Sequence, residues 1–177
     1  MGGPGYPLHH ARDSRIARTR IALLGFWVGS LLAFGGLFVP AAFANLPTPL
    51  AATVLGAGFA ALDRGGIALG LLCVVLGLSD RRASRLRALL PLAGVVAHLA
   101  SAFVVTPKIH ALRMAAGGAI GQADGPELAA FAQLHSASRA LFGLAAASAL
   151  LACVWDVFSL REGRSPGASP DGESNVF

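Results

Sequence analysis

Residues 21–39 read IALLGFWVGSLLAFGGLFV, nineteen positions without a charge. An arginine-rich head (Arg12, Arg15, Arg18 and Arg20) precedes the run, and Pro40 closes it. A hydrocarbon layer about 30 Å thick takes about 20 helical residues at 1.5 Å each, so this run is long enough to cross a bilayer. Ala42, Phe43 and Ala44 behind it have the small-x-small form of a leader cleavage site. A cleavable apolar region is shorter, about 7 to 15 residues, and the length argues for an anchor.

Three further runs of similar length follow. The second occupies about 60–78, with Asp63 and Arg64 near its start and Asp80, Arg81 and Arg82 beyond its end, and the apolar stretch 50–59 extends it outward. The third occupies 88–106, between Arg85 and Arg87 on one side and Pro107 and Lys108 on the other, with His98 as its one ionisable residue. The fourth occupies about 140–160, between Arg139 and Arg161, with Asp156 close to its end and Trp155 placed as an interfacial anchor. Composition agrees: 55% of the 177 residues are hydrophobic, 13% are charged, and the mean hydropathy is +0.65. Ordinary soluble domains carry about 25% charge, so the composition argues against an ordinary water-soluble enzyme or a disordered regulator. The expected fold is an all-α integral membrane four-helix bundle over 16–162, with unstructured tails at 1–15 and 163–177.

The net charge of +5 does not point to nucleic acid, because aromatic residues do not interleave with the arginines. Positive-inside topology accounts for it. With both termini and the 79–87 loop in the cytoplasm, ten of the 14 lysines and arginines fall inside; Arg64, Lys108, Arg113 and Arg139 fall outside. Both ends are therefore expected to be cytoplasmic, in the inner membrane if the cell is bacterial. On the outer side, Asp124, Pro126 and Glu127 combine a capping-box-like pattern with a first-turn proline, which predicts that the fourth helix starts near 126. The third is expected to continue past Pro107 to Met114, so that the two form a hairpin above the outer face.

In lipid, helices associate through small residues and interhelical hydrogen bonds rather than through apolar burial. Each span offers a stripe of that kind: Gly25, Gly29, Ala33, Gly36 and Pro40; Asp63, Gly66, Gly70, Cys73 and Gly77; Pro91, Gly94, His98 and Ser101; and His135, Arg139, Phe142, Ala146, Ala149, Cys153 and Asp156. Asp63, Arg64, His110, Arg113, His135 and Arg139 fall near one headgroup level and form a candidate outer polar cluster. Asp63 is expected to face Arg139 or His135, since a carboxylate on a packing stripe needs a partner. His98 lies near mid-span, where an ionisable group is a functional candidate, although a neighbouring carbonyl or serine would also satisfy it. Asp156 is expected to answer Arg161 or another nearby arginine.

Signatures of chemistry are missing. There is no phosphate-cradling loop, no His-Glu-x-x-His, no Gly-x-Ser-x-Gly and no paired intramembrane carboxylates. Cys73 and Cys153 lack zinc or disulfide spacing.

Several motifs together resemble one family. They are Trp27-x-Gly29 with Phe34, Pro40 to Phe43 and Leu46; Val104 to Pro107 with Ile109, His110, Leu112 and Arg113; and Phe131, Leu134, His135 and Ser138. In this order they resemble the transmembrane-protein-205-like family, also called domain of unknown function 4149, over about 16–160. The resemblance implies four membrane helices and no established reaction. It departs at Phe142, where many relatives carry a polar Asn. More distantly, the architecture is similar to that of copper-resistance D-type proteins.

The expected function is a non-enzymatic interaction or assembly element, surrounded by lipid, with a second copy or another membrane protein as partner. Handling of copper or haem by His98, His110 and His135 is the alternative. Solute transport is disfavoured, because four spans without an inverted repeat offer no alternating pathway.

Overall fold

The computed structural model describes residues 7–80, 84–116 and 125–162, and among these the regular structure is entirely helical. The tail from 163, Asp124 of the capping pattern and Arg81 and Arg82 lie outside the described residues. Four long rods result. The first joins α1 (Pro7–Ala33), a π turn (Phe34–Phe38) and α2 (Val39–Asn45); the second is α3 (Thr48–Ser79). The third joins α4 (Arg85–Ala100), a π turn (Ser101–Val105) and α5 (Thr106–Ala115); the fourth is α6 (Pro126–Glu162). Each rod is long and apolar enough to cross a membrane. The first begins at Pro7, within the segment expected to be an unstructured tail.

Pro40 does not end the first span. A proline inside a helix lacks the N–H and crowds the carbonyl four residues back. Here one extra residue is wound in just before the ring, so that Val39 N–H bonds to the carbonyl of Phe34, five residues back. Thr106 N–H bonds to Ser101 in the same way ahead of Pro107. Each π turn absorbs its proline and the helix runs on, as π bulges allow. The third rod accordingly reaches Ala115 and the fourth begins at Pro126, and α5 packs on α6 in the expected hairpin.

The chain reverses between the first two rods through an extended Leu46 and Pro47, fastened by Ala42, Ala51 and Leu55 with Phe34 and Phe59 around them. At the next reversal Ser84 caps α4, its Oγ accepting from Arg87 N–H at 3.3 Å. α1 packs on α3 and α6, and α4 packs on the same two, so the rods form a square with α1 diagonal to α4. Leu24, Trp27, Val28 and Leu31 fill its centre against Cys73, Ala97, Ala145, Ala149 and Ala152.

The small-residue stripes of α3 and α4 lie inside as expected, and α6 turns Ala149 and Asp156 inward. That of the first rod does not. Gly25, Gly29, Ala33, Gly36 and Pro40 are all exposed, and added β-carbons at the three glycines would meet nothing. The reason is volume matching. Trp27 points inward from the opposite face and needs hollows opposite it, which Gly70 and Gly94 supply: a β-carbon at either would come within 2.9 Å of the indole ring. Outside, Phe26, Leu37, Phe103 and Leu151 are each more than half exposed, in keeping with lipid as the surrounding medium. The protein is a multi-pass membrane helical bundle.

Gly70→Ala is expected to lower thermal stability in detergent by about 1–3 kcal/mol, the cost of overpacking. Gly143→Ala, where a β-carbon meets nothing, is expected to leave the melting temperature unchanged or higher.

Candidate functional site

Two polar layers cross the interior, and α1 supplies one long side chain to each. Arg20 and Trp27, two turns apart on one face, both reach across the square to α4. In the first layer, close to the ends of α3 and α6, Arg20 Nη1 lies 3.3 Å and Arg87 Nε 2.6 Å from Asp156 Oδ1. Arg20 Nη2 also donates to the carbonyl of Arg87 at 2.6 Å. Asp156 is fully enclosed and Arg20 is 2% exposed. Buried Asp80 is a second carboxylate in the neighbourhood of Arg20. Gly77 leaves the room that Arg20 occupies, since a β-carbon there would stand 3.1 Å from the guanidinium carbon. Asp156 thus answers Arg20 and Arg87, two arginines that serve in the sequence only as topology charges.

The second layer lies about 16 Å deeper along α4, eleven residues beyond Arg87. Trp27 Nε1 donates to His98 Nε2 at 3.2 Å. His98 Nδ1 is 2.8 Å from Asp63 Oδ1, and Ser101 Oγ donates to Asp63 Oδ2 at 2.9 Å. Because an indole N–H only donates, Nε2 must be bare and the imidazole proton must sit on Nδ1, pointing at the carboxylate. His98 is therefore a neutral imidazole oriented from both sides, at 3% exposure. Gly66 makes this possible, for a β-carbon there would overlap the imidazole ring.

Beside the carboxylate is a hollow of about 10 Å³, room for about one water, lined by Asp63, His98, Ser101, Ser138, Phe59 and Phe142 among others. Phe142 presents an aromatic wall here, edge-on to Phe59 with ring centroids 5.9 Å apart.

The expected pairing of Asp63 with Arg139 or His135 does not occur. Its partners are His98 and Ser101, because Arg139 and His135 share its depth but point out of the bundle. Arg64 and His110 are exposed as well, Arg113 donates to the carbonyl of Ala52 at 3.3 Å, and His135 stacks on Phe131. His98, His110 and His135 form no ligand set, and no group of three metal-ligating side chains occurs among the described residues. With both nitrogens of His98 engaged, that residue offers a metal or haem iron no lone pair. Trp27, Arg20 and Arg87 are the interior hydrogen-bonding side chains that sequence spacing passes over. The seven-residue interval from Arg20 to Trp27, on the face opposite the glycines, is the signal that points to two of them.

A family model described as a domain of unknown function (DUF4149) matches residues 22–117. The chain belongs to that family. The DUF4149 match covers the first rod from residue 22 and the whole of the second and third, and with them Trp27, Asp63, His98 and Ser101, but it leaves out Arg20 and stops before α6, which brings Ser138 and Asp156. Neither a curated protein nor a solved structure matches the chain.

Asp156→Asn removes the carboxylate that two buried guanidiniums share and is expected to cost about 3–5 kcal/mol in a detergent melt. Adding Arg20→Gln should recover part of that loss, a coupling that a double-mutant cycle reads directly.

Proposed function

We propose that this DUF4149 protein is a non-enzymatic membrane interaction element that works by pairing its first rod with that of a second copy. The observation behind this reading is the outward position of the first rod's glycines. Gly25-Phe-Trp-Val-Gly29 is a GxxxG sequence, continued at the same four-residue step by Ala33, and all three small residues face away from the bundle. Lipid tails fit poorly against such a flat strip, whereas a second helix backbone approaches it closely and gains dispersion contacts along its length. A second copy is the favoured occupant because the same strip on both partners is complementary to itself across a twofold axis. Phe26 and Leu37, exposed beside the strip, supply flanking contacts.

The finer kinship, with the transmembrane-protein-205-like proteins, is supported by the ordered motifs at the helix exits. The orientation we infer has both termini and the 79–87 loop in the cytoplasm, in the inner membrane for a bacterial cell. The arginine bias supports it, as does the clustering of Arg20 and Arg87 at the same end of the bundle.

Two measurements test this reading. Fluorescence energy transfer between labelled copies in liposomes should show dimers that Gly29→Leu weakens about tenfold, the equivalent of about 1.4 kcal/mol. Equal transfer in wild type and variant would rule out this face. For orientation, a cysteine at Ser84, with Cys73 and Cys153 replaced, should react with an impermeant maleimide only from the cytoplasmic side.

A further inference from the structure

Two interior carboxylates, Asp156 and Asp63, differ in their counter-charges. Asp156 has two guanidiniums upon it, whereas Asp63 touches only neutral donors, the Nδ1–H of His98 and the hydroxyl of Ser101. Every element around Asp63 contributes to this imbalance. α1 brings Trp27, which does not titrate; the third rod brings His98 and Ser101; α6 brings Ser138, Leu141 and Phe142. On α3 itself the neighbouring Arg64 is exposed, and Arg139 of α6 is exposed too. His98 is the one titratable group that faces the carboxylate among the described residues. Trp27 holds its Nε2 bare, so it cannot serve as a cation without breaking the indole hydrogen bond. The layer is therefore short of one positive charge in a place where an unbalanced carboxylate is costly.

We propose that Asp63 is a proton-binding site within the membrane, loaded through the hollow between Asp63, Ser101 and Ser138. The hollow has room for one water, the size of the body that delivers a proton. On loading, hydronium gives its proton to Asp63 Oδ2; the new O–H bond forms as one in the hydronium breaks, water is left, and the carboxylate becomes neutral. Both states keep every hydrogen bond. The hydroxyl of Ser101 donates to the anion, and on protonation it reverses and accepts from the new Oδ2–H, while His98 Nδ1–H donates to Oδ1 throughout. Trp27 is a positioning residue: it keeps His98 from taking the proton. The hollow suits a proton carrier better than a sodium ion, which takes about five or six oxygen ligands where the lining side chains bring four, two from Asp63 and one each from Ser101 and Ser138.

The experiment uses the full chain in lipid nanodiscs. Infrared spectroscopy should show a carboxylic-acid carbonyl band that shrinks as pH rises, is insensitive to sodium at fixed pH, and is lost in Asp63→Asn. Nitrogen NMR of histidine-labelled wild type, which needs no variant, should show His98 with one bare nitrogen across about pH 5 to 8. In Trp27→Phe, His98 should become doubly protonated within that range. A band unchanged by Asp63→Asn, a band displaced by sodium, a doubly protonated His98 in wild type, or an unaltered His98 in Trp27→Phe would each overturn the proposal.

Discussion

A membrane-embedded bundle has no water inside to satisfy polar groups, so each one must find its partner among the helices. In this protein that requirement falls on one face of α1. Arg20 and Trp27 are both nearly fully enclosed, and both cross to the rod diagonally opposite. Neighbouring rods hold each other along their flanks, but a diagonal pair has only such long side chains to link it. Two contacts seven residues apart on one helix fix its rotation and its height together, because a slip of one residue turns the helix by about 100° and parts both. The glycines of α3 and α4 follow from this. They are the spaces that the indole, the imidazole and the guanidinium require.

Buried ion pairs contribute little net stability compared with apolar packing, but breaking one is expensive. The layer of Arg20, Arg87 and Asp156 therefore acts chiefly as a register device: alternative arrangements of four similar, alanine-rich rods would leave a charge stranded in lipid. Two buried atoms in this layer, Asp156 Oδ2 and Arg20 Nε, have no protein partner, so even here the fit is governed by placement rather than by maximal bonding.

The four spans and the hairpin of α5 with α6 were legible in the sequence because both rest on the length of charge-free runs and on proline and glycine at their ends. The inward stripes of α3 and α4 were legible for a related reason: Asp63 and His98 sit among glycines at helical spacing, and polar groups in lipid turn toward other helices. The first rod misleads because small residues serve two opposite purposes. They admit a neighbouring backbone from outside, or they leave room for a large side chain from across the core, and spacing alone does not separate the two. Gly29 and Gly70 look alike in sequence, and only the direction of Trp27 tells them apart. The partner of Asp63 was hidden for a different reason. Depth follows from residue number, but azimuth depends on how each rod is rotated, so Arg139 and His135 reach the right level and face the wrong way. Pro40 suggests an end because the ring breaks the α pattern; the π turn that absorbs it has no signature in composition.

The two π turns also bear on the site. Each lies in a rod that runs away from the end holding Arg20 and Arg87, and each precedes a proline by the same interval. In the third rod, the π turn begins at Ser101, the residue whose hydroxyl meets Asp63. An α-helix places residues three apart about 60° away from one another, so His98 and Ser101 lie on adjoining sectors of one face and both reach the same carboxylate from opposite oxygens. In the first rod, the corresponding turn carries Phe34, whose ring packs edge-on to Phe59, which in turn meets Phe142. Of that aromatic row, Phe59 and Phe142 line the hollow. The π turn of the third rod thus places Ser101 at the hollow, and that of the first rod places Phe34 behind Phe59, which lines it.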